Sequence, residues 1–143
     1  MVRPSMFSGI YVKDVPKTAN IFKKVFLNAK VRNIQPGLTE VTIGTGRLLL
    51  SETAMDSLKT TNLAPQPVTT ENVGTELELG IWVEDLEAVH QTIGDLKSSD
   101  ESAEIPFVST IQIQPSGIQD FRFKLREGYY IRVTGERGIT QAA

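Results

Sequence analysis

The segment GIYVKDV at residues 9–15 returns as GIWVEDL at residues 80–86. Glycine, isoleucine, valine and aspartate keep their places, an aromatic faces an aromatic, and the offset is constant at 71 residues (80 − 9). A period above 50 residues is too long for a solenoid unit, so the repeat marks a duplicated module.

Each copy reads as a strand-to-helix corner. Residues 6–13, MFSGIYVK, are short, apolar and β-rich, and after Asp14 the apolar residues Ala19, Phe22, Val25 and Phe26 recur at helical spacing. Asp14 suits the N-cap, where its carboxylate can accept from free first-turn amides, and Pro16 suits the first turn, where its missing N–H costs nothing. In the second copy ELELGIWVE reads as a strand and Asp85 as the cap. Leu86, Val89, Ile93 and Leu96 form the apolar stripe of the helix that follows.

Strands and turns complete each half. AKVRN, TEVTI and RLLLSE are separated by Pro36-Gly37, a type II turn signal, and by the GTG turn at 44–46. In the second half FVSTIQIQ, QDFRFKL and YYIRV are separated by turns at PSG and REG. The fold class is therefore α+β, two tandem βαβββ modules whose curved half-sheets surround a cup. A ferredoxin-like duplication is the alternative. Module one spans 5–52 and module two 76–135 of a single domain. The Thr-, Asn- and Pro-rich stretch 53–75 is a lid or a mobile connector, and 136–143 is a tail.

The bulk numbers narrow the function. Among 143 residues, 15 Lys and Arg against 17 Asp and Glu leave a net charge of −2, which argues against nucleic acid as a partner. Cysteine is absent, so disulfides, thiolate catalysis and Cys-based metal sites are excluded. The start MVRPSMFSG lacks an apolar run of signal-peptide length, and no stretch approaches the ~20 apolar residues of a membrane helix. A cytoplasmic protein without membrane contact is expected. GTGR at 44–47 lacks the spacing of a phosphate loop, and the single histidine, His90, reads as an ordinary helix residue.

GIYVKDVPKTANIFKKVF, GIWVEDLEAVHQTI and the ending DFRFKLREGYYIRVTGE together resemble the vicinal oxygen chelate superfamily of glyoxalases, extradiol dioxygenases and bleomycin-type resistance proteins. The resemblance covers the chain apart from the central stretch and the tail. KLREG replaces the usual DPDG, and Leu27 stands where many members have glycine. The resemblance places metal ligands at four positions, which here are Phe7, Leu49, Glu78 and Arg132. Phenylalanine and leucine donate nothing and arginine repels a cation, so no metal and no other cofactor is expected.

With residues two apart sharing a face, the cup is expected to be lined by Phe7, Tyr11, Leu49, Trp82 and Tyr130, with Glu78 and Arg132 as its charges. Those two either pair as a brace or clamp a polar ligand. If buried together, loss of Arg132 would be markedly destabilising. The leading expectation is a metal-independent protein that sequesters an aromatic or amphipathic small molecule, similar to the antibiotic-resistance binding proteins. The resemblance implies a homodimer with the cup at its interface. The alternative is a metal-free lyase or isomerase with Glu78 as general base. A third reading is a partner-binding domain whose cup is filled by its own side chains.

Overall fold

The computed structural model describes residues 7–52 and 78–136. The expected connector and tail lie almost wholly outside them. The chain divides into two compact units, Met1–Val73 and Gly74–Ala143.

In the first unit β1 (Ser8–Val12) leads into α1 (Val15–Val25), followed by β2 (Lys30–Gln35), β3 (Leu38–Ile43) and β4 (Gly46–Glu52). The four strands form one sheet in the order β1-β4-β3-β2, with β1 parallel to β4 and the other pairs antiparallel. The helix begins where expected. Asp14 is extended and its carboxylate accepts from the Lys17 amide at 3.0 Å, with proline in the first turn. The Pro36-Gly37 turn forms with Gly37 at φ 78°, a conformation that carries a steric cost for any side chain with a Cβ. The chain leaves α1 through Asn28 at φ 65°. Leu27 is thereby spared the left-handed conformation that glycine often takes, since asparagine tolerates it.

One face of this sheet is closed by α1. Val15, Ile21 and Phe22 of the helix and Ile10, Val12, Val41 and Leu50 of the strands are almost fully buried. Each such side chain contributes about 1.5–3 kcal/mol on burial.

The second unit repeats the plan. β5 (Glu78–Trp82) leads into α2 (Leu86–Lys97), capped by Asp85, whose carboxylate accepts from the Ala88 amide at 3.1 Å. A short 3-10 turn (Ser102–Glu104) precedes β6 (Phe107–Val108), β7 (Gln112–Ile113), β8 (Ile118–Lys124) and β9 (Tyr130–Glu136). The sheet order is β5-β9-β8-β6, and β7 also pairs with β8. Leu86 and Ile93 of α2 are buried, as are Phe121, Phe123, Ile131 and Val133 of the strands.

Two separate sheets, each with its own helix, give the two-module fold rather than a ferredoxin-like one. One element departs from expectation. FVSTIQIQ is two short strands, not one, interrupted at 109–111. There the Ser109 backbone is drawn into other bonds. Its N–H donates to the Arg122 carbonyl at 2.8 Å, its hydroxyl accepts from the Arg122 amide at 2.8 Å, and its carbonyl accepts from His90 Nε2 at 2.9 Å.

Each cap holds one first-turn amide of its helix. Asp14→Ala and Asp85→Ala are each expected to cost about 1 kcal/mol, read as a lower urea midpoint.

Candidate functional site

Strand alternation divides each sheet into a helix-covered face and an open one. On β1, Ile10 and Val12 go to the helix, which leaves Gly9 and Tyr11 on the open face. The register carries that face across the first sheet. Gly9 pairs with Leu49, Leu49 with Glu40, and Glu40 with Arg32. Tyr11 pairs with Ser51 and Ser51 with Leu38. Tyr11 and Leu49 are half-buried, and Phe7, just before the sheet, is 59 % exposed.

The centre of this face is a residue that the sequence reading missed. Glu40 is buried, and its carboxylate accepts from Arg47 Nε at 2.9 Å and from Arg47 Nη2. Arg32 Nη2 lies 3.3 Å from its other oxygen. The Arg47 hydrogen bond holds the Glu40 carboxyl below the usual carboxylate range, and the charges of Arg32 and Arg47 help against the opposing effect of burial. The folded state thus binds this proton less readily than the unfolded chain. Stability from Glu40 is fully present above the unfolded carboxylate pKa of about 4.5 and is lost as pH falls through the lower folded value. Glu40→Gln is expected to flatten the acid limb of the stability-versus-pH curve below pH 4.5, measured by thermal melts.

The second open face is a three-row lattice. The first row runs Glu78, Tyr130, Lys124, Phe107; the second Gly80, Arg132, Arg122; the third Trp82, Thr134, Asp120, Gln112. Gly80 therefore faces Arg132 as Gly9 faces Leu49, which places the repeated glycine identically in both modules.

Charge fills the middle of this lattice. Arg122 Nε donates to Glu78 Oε2 at 2.9 Å, and that bond raises the affinity of the Arg122 guanidinium for its proton. Arg132 Nε lies 3.5 Å from Glu78 Oε1 and 3.7 Å from Asp120 Oδ2. Aromatic groups stand at the margins. Trp82 is 57 % exposed, Phe107 meets the Tyr130 ring edge-on at 6.3 Å between centroids, and Lys124 Nζ sits 5.3 Å from the Tyr130 ring centre.

The structure thus brings Glu78, Trp82, Tyr130 and Arg132 onto one face, and Tyr11 and Leu49 onto the corresponding face of the other unit. It also corrects one expectation. Glu78 and Arg132 do pair, but their side chains are 40 % and 41 % exposed. A pair so hydrated contributes about 1 kcal/mol or less, so Arg132→Ala is not the severe lesion that a buried pair would suffer. Arg122 and Phe107 were overlooked in the sequence. In QDFRFKL the alternation of Phe121 and Phe123 with Asp120, Arg122 and Lys124 was the available signal. His90 is half-buried, bonded to Ser109 and edge-on to Phe121 at 4.7 Å, within the support of the sheet.

The four positions assigned to a metal by resemblance do not fit one. Phe7 and Leu49 carry no donor, and Arg132 brings its own positive charge to Glu78. Among the described residues, no three His, Cys, Asp or Glu side chains converge. No described helix is long and apolar enough to cross a membrane.

No protein-family model matches the sequence, and no curated protein does. Solved structures do match. A hypothetical protein from S. aureus superposes with a TM-score of 0.66 at 19% identity, over 94% of this chain and 95% of that one. The bleomycin resistance determinant encoded on transposon Tn5 gives 0.62 at 10% identity, over 94% and 100%. The fosfomycin resistance protein FosX from Mesorhizobium loti gives 0.62 at 11% identity, over 99% and 98%. The fold is that of a two-module α+β protein with a helix-free face on each sheet. The chain has the vicinal oxygen chelate fold, the fold of these resistance proteins.

Proposed function

We propose that this is a metal-independent binding protein that sequesters an aromatic or amphipathic small molecule, working in the cytoplasm as a homodimer. The observation that carries the reading is the open face of the second sheet. Its only tryptophan, Trp82, is 57 % exposed beside half-exposed charges, which is the make-up of a binding surface rather than of a core. Similarity in fold to a bleomycin resistance determinant and a fosfomycin resistance protein supports a role in handling a toxic small molecule. An enzyme using Glu78 as general base is disfavoured. Arg122 approaches one of its carboxylate oxygens and Arg132 the other, so neither oxygen stands ready for a substrate proton.

A thermal-shift plate tests this. It holds the protein with divalent metals, with chelator, and with bleomycin, fosfomycin, mitomycin and 2-naphthoate. A ligand at 100 times its Kd adds about 2.7 kcal/mol, a rise in Tm of roughly 5–10 °C. A rise with an organic compound and none with metals is expected. A metal-driven rise that chelator reverses would overturn the metal-independent reading. Light scattering at the same concentration gives the mass, and a monomer would remove the homodimer.

A further inference from the structure

We propose that the open face of the second sheet selects aromatic ligands that carry an anionic group, with the anion on Arg132 and the ring beside Trp82. The inference rests on the binding reading and adds the charge of the ligand to it.

Three observations converge. The first is space. A Cβ built on Gly80 meets nothing within 4 Å, so the space over β5 between Glu78 and Trp82 is open, and Arg132 lies beside it on β9. The second is the state of the two guanidiniums. Arg122 is engaged, its Nε bonded to Glu78 at 2.9 Å. Arg132 has carboxylates nearby at 3.5 and 3.7 Å, both approached through Nε, yet that buried Nε makes no hydrogen bond. Arg132 is therefore balanced in charge but short of acceptors; its Nε is buried, so the 41 % exposure of the side chain lies in its other atoms, and a ligand engages the terminal nitrogens. A carboxylate matches the guanidinium fork with two parallel bonds, a pairing stronger than one between neutral groups.

The third observation concerns the opposite sign. A cationic ligand needs an available carboxylate. Asp120 is only 4% exposed, and Glu78 has an arginine at each oxygen. Such a ligand would also meet Arg122, Arg132 and Lys124 across the two central strands. Among the charged groups of this face Arg132 keeps exposed donor surface, whereas the carboxylates are buried or already engaged by arginine.

Isothermal titration calorimetry with three probes of one shape decides the matter: 2-naphthoate, 2-naphthalenemethanol and 2-naphthylmethylamine. The anion is expected to bind roughly 10-fold or more tighter than the neutral alcohol, as a bond to a charged group implies. Arg132→Gln is expected to abolish that preference while the alcohol still binds. Arg132→Lys keeps the charge without the fork and is expected to retain part of it, which gives a second reading should the glutamine variant fold poorly. Equal binding of acid and alcohol, or tighter binding of the amine, overturns the anion selectivity and leaves the binding-protein reading standing. A preference undiminished in folded Arg132→Gln also overturns it, because the anion then sits elsewhere. Failure of all three probes to bind overturns both.

Discussion

Truncating Phe121 to alanine lowers the unfolding free energy by about 3–5 kcal/mol, seen as a fall in urea midpoint without a change in slope. The ring is 1% exposed in β8, beneath α2, and the His90 imidazole stands edge-on to it at 4.7 Å. Its loss removes transfer energy, leaves a cavity and takes away the support of His90. His90 in turn donates to the Ser109 carbonyl, and Ser109 holds the Arg122 backbone through two bonds of 2.8 Å. The damage therefore reaches the central strand of the open face. An unfolding free energy within about 0.5 kcal/mol of wild type would show that the ring is not the keystone of this core.

The second large effect is on binding. With Trp82→Ala, affinity for 2-naphthoate falls about 30-fold, the scale of an aromatic hot spot worth roughly 2 kcal/mol. Trp82 is 57 % exposed on β5, so its removal changes stability by only about 0.5 kcal/mol. Calorimetry reads the affinity, because the variant has lost the chain's one tryptophan. Unchanged affinity would move the ring contact to Tyr130 and Phe107, at the other margin of the lattice.

These two residues differ in how plainly they could be read from sequence. The corners around Asp14 and Asp85 were legible because a cap, a first-turn proline and an apolar stripe are local signals that the fold did not override. The turn at Pro36-Gly37 was legible for the same reason. Strand alternation also placed Glu78, Gly80 and Trp82 together correctly, since they lie two apart on one strand. What escaped was nonlocal. The break inside FVSTIQIQ arises where Ser109 meets His90, 19 residues earlier, and Arg122, 13 later. Glu40 looked like an ordinary strand residue, because its burial depends on Arg47 and Arg32 converging from two neighbouring strands. The exposure of Glu78 and Arg132 was likewise invisible, so the brace and the ligand clamp stayed open as alternatives.

The alternation of faces has a bearing on how such a chain can diverge. At matching register the two modules carry Leu49 in one and Arg132 in the other, and Glu40 in one and Arg122 in the other. Every second residue of these strands is fixed by packing beneath a helix. The residues between are half-exposed or satisfied by one another and can be exchanged at small thermodynamic cost. Substitutions on the open side therefore disturb the scaffold least. Solved structures superpose over nearly the whole chain at only 10–19% identity, so the fold tolerates wide exchange of residues. It also makes the odd-and-even grammar of β4, β8 and β9 the natural place to write a new specificity without rewriting the protein.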